Sequence, residues 1–162
     1  MALILNGDTG ITYPVATATG SATQASAGRV LQVVQTASNS QVSTTSTSFV
    51  TTSIAASITP SSSSSKILVT VCICGTYAVT AATYFTIYRG GTNLAGGTNN
   101  LAQVYCNAAN VLTNTNTTYL DTPATTSATT YTLYFSASSG TNILNYGGTS
   151  GYTTITLQEI SA

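Results

Sequence analysis

From Arg29 onward the chain is a succession of short runs rich in Val, Ile, Tyr, Phe and Thr, interrupted roughly every 8–12 residues by Gly, Asn, Ser or Pro. No stretch carries the 3.6-residue apolar period of an amphipathic helix. The runs predict strands over residues 30–35, 41–52, 54–59, 66–77, 83–89, 101–106, 111–119, 130–137, 142–146 and 153–160. So many short strands with turn signals between them predict an all-β fold, a two-sheet antiparallel β-sandwich or jelly roll.

The strongest run is Lys66 to Cys74. Ile67, Val69, Val71 and Ile73 point one way along it, and Leu68, Thr70, Cys72 and Cys74 the other. Both faces are apolar enough to predict a central strand buried on two sides. Tyr131, Leu133 and Phe135 alternate with polar neighbours, and Phe85 and Ile87 alternate with Tyr84, Thr86 and Tyr88, so these strands supply inner-face residues to a half-buried sheet. Pro60 and the run Ser61–Ser65 separate two apolar strands by ordinary loop length, which predicts a turn and no second domain.

Residues 1–28 read differently. A short apolar stub and an Asn-Gly/Thr-Gly turn pair give way to Ala, Thr, Ser and Gly without periodicity, and this segment cannot bury a core alone. The division is an extended N-terminal arm, 1–28, followed by one β domain, 29–162. The apolar residues of the stub, Leu3, Ile4, Leu5, Ile11 and Tyr13, are candidates for adding a strand to a partner's sheet edge.

Charge narrows the function. Only 4% of the 162 residues are charged, against about 25% in an ordinary domain, and the net charge is zero; Ser and Thr fill a third of the positions instead. Arg29, Lys66 and Arg89 are too few cations to neutralise a run of phosphates, which excludes nucleic-acid binding. No apolar run approaches the roughly 20 residues of a membrane helix. The chain has no His, so Ser-His and Cys-His nucleophiles and imidazole metal ligands are excluded. Catalysis by the carboxylates Asp8, Asp121 and Glu159 is disfavoured, since Asp121-Thr122-Pro123 reads as a turn and Asp8 lies in the arm. No catalytic, cofactor-binding or metal site is expected. Cys72, Cys74 and Cys106 read as small buried apolar residues, because a Cys-x-Cys with one distant Cys is a poor zinc site.

Edges without charge invite pairing with other chains, which closed oligomerisation would prevent. In so uncharged a chain, one of the three cations is expected to meet Asp121 or Glu159 across a subunit contact. The loops richest in Asn and Tyr form the remaining candidate chemistry: Asn99, Tyr105, Asn107, Asn114 and Tyr119 combine amides that bond hydroxyls with rings that cover sugar C–H surfaces, a pattern suited to glycan contact. The competing explanation is that Asn and Gly supply turn conformations.

Three stretches carry a resemblance: Leu5-Asn6-Gly7-Asp8-Thr9-Gly10-Ile11-Thr12, then Gly28-Arg29-Val30-Leu31-Gln32-Val33-Val34-Gln35, then Ile58-Thr59-Pro60-Ser61 leading into Ser65-Lys66-Ile67-Leu68-Val69. The chain resembles small virion proteins of tailed bacteriophages, especially marine and cyanobacterial ones, of head-decoration or tail-fibre-like type. The resemblance implies a jelly roll like that of the tumour-necrosis-factor superfamily, a homotrimer, and an arm that attaches to other virion proteins, either the major capsid protein or a tail component. It further implies a place on the virion surface, assembly in the host cytoplasm, and either capsid decoration or contact with a host surface glycan. The chain lacks the shaft and repeats of a long tail fibre.

Overall fold

The computed structural model describes residues 28–108, 111–148 and 151–162, together with the backbone of two short strands in the arm. These are β1 (Ile4–Asn6) and β2 (Gly10–Thr12), paired antiparallel with Leu5 opposite Ile11. Leu3 and Tyr13 lie outside the described residues, and Ile4, Leu5 and Ile11 are placed by their backbone alone.

The domain contains β3 (Val30–Ser38), β4 (Val42–Thr44), β5 (Val50–Ile58), β6 (Lys66–Thr76), β7 (Ala81–Arg89), β8 (Thr92–Asn93), β9 (Ala102–Cys106), β10 (Thr113–Asp121), β11 (Thr129–Ala137), β12 (Asn142–Leu144) and β13 (Thr153–Ile160). Its long strands pair in a nested order. The first, β3, pairs with the last, β13; β5 pairs with β11, β6 with β10, and β7 with β9. This long hairpin is rolled up so that β13 also pairs with β6 and β11 with β7. The result is two large antiparallel sheets, β10-β6-β13-β3 and β5-β11-β7 with β8 and β9 sharing the far edge of β7, and a small two-stranded sheet, β12-β4. That strand order is a jelly roll, and the sequence expectation of an all-β two-sheet fold holds.

The alternation that predicts the strands also builds the core. Ile67, Val69, Val71 and Ile73 of β6 and Ile155 and Leu157 of β13 face Ile54 and Ile58 of β5, Phe85 and Ile87 of β7, and Tyr131, Leu133 and Phe135 of β11; all are buried. Phe85 and Phe135 are direct cross-strand partners with near-parallel rings 6.4 Å apart, the kind of pair that adds about 1 kcal/mol beyond its buried area.

Three sequence expectations are corrected. The strand expected at 41–52 is instead the short β4 and the start of β5. The break expected at Ser53 is a bulge inside one strand: Ser53 has φ +63° and the β5–β11 register shifts there, while Thr52 Oγ1 donates to Leu133 O at 2.8 Å in place of a ladder bond. The second correction concerns β6, which is central but buried on one side only. Leu68, Thr70 and Cys74 are half-buried and Cys72 is exposed, because a two-layer sandwich places nothing of its own over the outer face. Among the cysteines only Cys106 is fully buried, and all three are free thiols.

The third correction is the turn expected at Asp121. Asp121 instead ends β10, faces inward, and is 6% exposed. Its carboxylate meets Arg89 Nη1 at 2.7–2.8 Å and accepts the Tyr131 hydroxyl at 2.7 Å. This pairing lies within the chain, not across a subunit contact, and is the ion pair among the described residues. Among the described residues Glu159 meets no cation; it accepts from Ser61 N and Oγ at 2.7 and 2.6 Å and from Gln32 Nε2 at 2.6 Å. The Ser-rich turn after Pro60 is thereby fastened to the last strand.

Candidate functional site

Two surfaces follow from this geometry, one on the outside of each sheet. On the β3 sheet, the registers align Val33, Gln158, Leu68 and Leu120 in one row across all four strands. Val33 is 55% exposed and Leu120 50%, and Val30 and Leu31 are exposed beside them. The next row, Gln35, Thr156, Thr70 and Thr118, is neutral as well. Lys66 stands at the end of the face, opposite Ile160.

The second surface is a cleft of about 530 Å³ on the outside of the β11 sheet. Its lining includes Tyr84 and Tyr88 of β7 and Ser136 of β11, with Phe49 and Ser48 from the β4–β5 loop and Asn100 from the β8–β9 loop. Tyr84, Thr86 and Tyr88 project outward because Phe85 and Ile87 project inward, the alternation of a half-buried strand. Tyr88 stacks on Tyr134 of β11 with ring centroids 4.0 Å apart, which fixes the orientation of its ring.

Hydrogen bonds hold both walls. On one side, Ser46 N donates to Thr44 Oγ1, Ser46 Oγ donates to Ser48 O at 2.7 Å, and Ala137 N donates to Ser46 O at 2.8 Å, pinning the loop to β11. On the other, buried Asn93 organises the loop. Its amide donates to Gly97 O at 3.0 Å and Asn99 O at 2.9 Å, while its oxygen accepts from Ala95 N at 3.0 Å and from Thr86 Oγ1 at 2.5 Å. Gly96 and Gly97 sit at φ +83° and +59°, a backbone that a side-chain-bearing residue adopts with strain. The walls explain why Thr86 and Ser136 are buried although they face outward.

The structure does not gather the five residues singled out for glycan contact. Tyr105 is 61% exposed on the outer face of β9, two residues beyond Gln103, the partner of Tyr84. Asn107 is exposed just past β9, and Asn99 lies in the cleft's outer wall. Asn114 and Tyr119 belong to β10 in the other sheet: Asn114 Oδ1 accepts from Gly75 N at 2.8 Å and lines a shallow groove with Cys72, Cys74 and Tyr152, while Tyr119 packs against the core. In the sequence, alternation marks Tyr84 and Tyr88 only as outward-facing, and two large aromatics on the outer face of one strand are the signal that points to a site there. Among the described residues, no three of Cys, Asp and Glu cluster as metal ligands.

Burial by itself raises the Glu159 carboxyl, but the Ser61 and Gln32 donors outweigh it and bring its pKa down to about 2. Burial, then the neighbouring Asp121 carboxylate, pushes the Tyr131 hydroxyl far above the usual phenol range. Both groups keep their neutral-pH protonation states as structural fasteners, Glu159 ionised and Tyr131 protonated.

No protein-family model matches the chain, and no curated protein matches it. Among solved structures it is similar to infectious bursal disease virus, Gt strain, at 15% identity and a TM-score of 0.44, covering 82% of this chain and 39% of that one. It is also similar to the VP2 subviral particle of that virus at 17% identity and a TM-score of 0.42, covering 81% and 37%. The Gx strain gives 17% identity and 0.45, covering 81% and 37%. The chain spans less than two-fifths of the length of these structures.

Proposed function

We propose that this chain is a non-enzymatic structural protein of a tailed-phage virion, a homotrimer that decorates or cements the capsid surface and is anchored through residues 1–28. The observation that carries the reading is the outer face of the β3 sheet, whose only charge among the described residues is Lys66 at its end, with Val33, Leu68 and Leu120 sharing one cross-strand row with Gln158. A face of this kind is suited to contact with other copies, since contiguous exposed apolar surface on a soluble domain marks an interaction site. The edge strands β3 and β10 carry no Lys and no Pro to discourage pairing, which favours closure into an oligomer. The virion itself is inferred from the sequence resemblance, and the arm's Leu3, Ile4, Leu5, Ile11 and Tyr13 are proposed as the contact with the major capsid protein or a tail component.

Gold labelling of intact particles with an antibody to residues 29–162 tests the reading by electron microscopy. Many labels over the head support decoration. Label confined to the tail tip replaces it with a tail-fibre role, and unlabelled particles overturn a virion location. Removing residues 1–28 is expected to leave a folded trimer that no longer binds particles; retained binding overturns the arm's role.

A further inference from the structure

We propose that the cleft on the outside of the β11 sheet binds an uncharged oligosaccharide, with Tyr84 and Tyr88 as its aromatic floor. The site goes beyond the structural role above and does not depend on it, because it lies on the opposite sheet and is complete within one chain.

Its volume of about 530 Å³ falls within the roughly 300–1,000 Å³ of small-molecule sites. The chemistry of the lining selects the class. None of the residues that line the cleft carries a charge, and the nearby Arg89 is committed to Asp121, so neither a phosphate nor a carboxylate finds a free counter-charge in the lining. What the cleft does offer is hydroxyls, which both donate and accept, beside aromatic surface. Sugars present that same combination, hydroxyls around a ring and apolar C–H faces.

The hydroxyls are available. Among the described residues, no hydrogen bond engages the side-chain oxygen of Thr47, Ser48, Tyr84, Tyr88, Thr98 or Ser136. Asn100 donates through Nδ2 to Ala102 O at 3.1 Å, leaving its amide oxygen to accept from a ligand.

Preorganisation is the second argument. Tyr88 is held by Tyr134, the inner wall by Ser46, and the outer wall by Asn93, so little conformational freedom remains to be lost on binding.

The test is a titration of the full-length protein, followed by amide chemical shifts, with cellohexaose, maltohexaose and mannohexaose as neutral probes and hexagalacturonate as the acidic one. Saturable binding of at least one neutral probe is expected, with shifts centred on residues 47–49, 84–88 and 97–100. Tyr88→Ala and, independently, the exposed-loop change Asn100→Ala are expected to weaken it, the tyrosine by about tenfold. Unchanged melting temperature in Asn100→Ala separates loss of contact from loss of fold. Failure of every neutral probe to saturate at millimolar concentration overturns the proposal. So does binding whose shifts lie elsewhere, or that both variants retain, or that hexagalacturonate matches.

Discussion

Asp121 and Glu159 lie on the same inward-facing cross-strand row of the β3 sheet, one on each side of Ile67. Both described carboxylates are therefore buried at one end of the sandwich, yet they are neutralised by different means. Asp121 meets a guanidinium and a phenol from the opposite sheet, whereas Glu159 meets only neutral donors from its own edge and the adjoining turn. Each joins segments distant in sequence, and neither is left open to a substrate.

Glu159 makes stability sensitive to acid. Its folded pKa of about 2 is below the ordinary 4.5, so its contribution is complete above about pH 4.5 and is lost as pH falls towards 2. Glu159→Gln, which places an amide among donors, is expected to be less stable than the parent at pH 7. The gap in melting temperature should close as the pH is lowered through that window; a constant gap would contradict the role given to the carboxylate.

The Arg89–Asp121–Tyr131 group should show graded losses. Tyr131→Phe removes one hydrogen bond, at a cost of about 1 kcal/mol. Asp121→Ala strands both partners and is expected to cost about 2–3 kcal/mol, less than a wholly buried pair because the Arg89 side chain is 31% exposed. Urea denaturation of the two variants measures the order, and equal losses would refute it.

Adjacent residues of β6 should respond in opposite ways to the same substitution. Val69 is fully buried, so Val69→Asp places an unpaired charge in the core and is expected to prevent folding, a loss of at least about 4 kcal/mol. Thr70→Asp faces outward and should leave the circular dichroism spectrum of the domain intact. A soluble Val69→Asp protein with an unchanged melting curve would reverse the inner and outer faces.

The apolar row on the outside of the β3 sheet predicts the oligomer. Val33→Lys with Leu120→Lys puts like charges on the two edge strands of one face. Sedimentation equilibrium is expected to give a trimer for the parent and a monomer for the double variant, with folding retained because both positions are exposed. A trimer that survives would place the subunit contact elsewhere.

Asn93 should govern the shape of the cleft. Asn93→Ala removes four bonds at once and leaves the carbonyls of Gly97 and Asn99 without their donor, for a cost of about 2–3 kcal/mol. Amide exchange is expected to accelerate across residues 94–100 while the core strands stay protected. Unchanged exchange there would mean that the wall stands without Asn93.

Much of this architecture was legible locally. Alternation of side chains is a property of a few consecutive residues, so the inward sets Ile67–Val69–Val71–Ile73 and Tyr131–Leu133–Phe135 could be read directly, as could the strand at 153–160. Period and breakers likewise determined an all-β chain of two sheets, and the scarcity of charge determined which chemistries to exclude. Local signals ended where neighbours across the sheets took over. Ser53 interrupts an apolar pattern just as a turn would, and only the register shift against β11 between Thr132 and Tyr134 makes it a bulge. Cys72 has the composition of a core residue, but a two-layer fold leaves its face uncovered. Arg89 and Asp121 are brought together by nested pairing of distant strands, and the cleft by two loops closing over Tyr84 and Tyr88. Sequence determined which residues turn inward, because that depends on the extended backbone alone; tertiary structure decided which of them meet, because contact between strands far apart in the chain depends on how the whole hairpin rolls up.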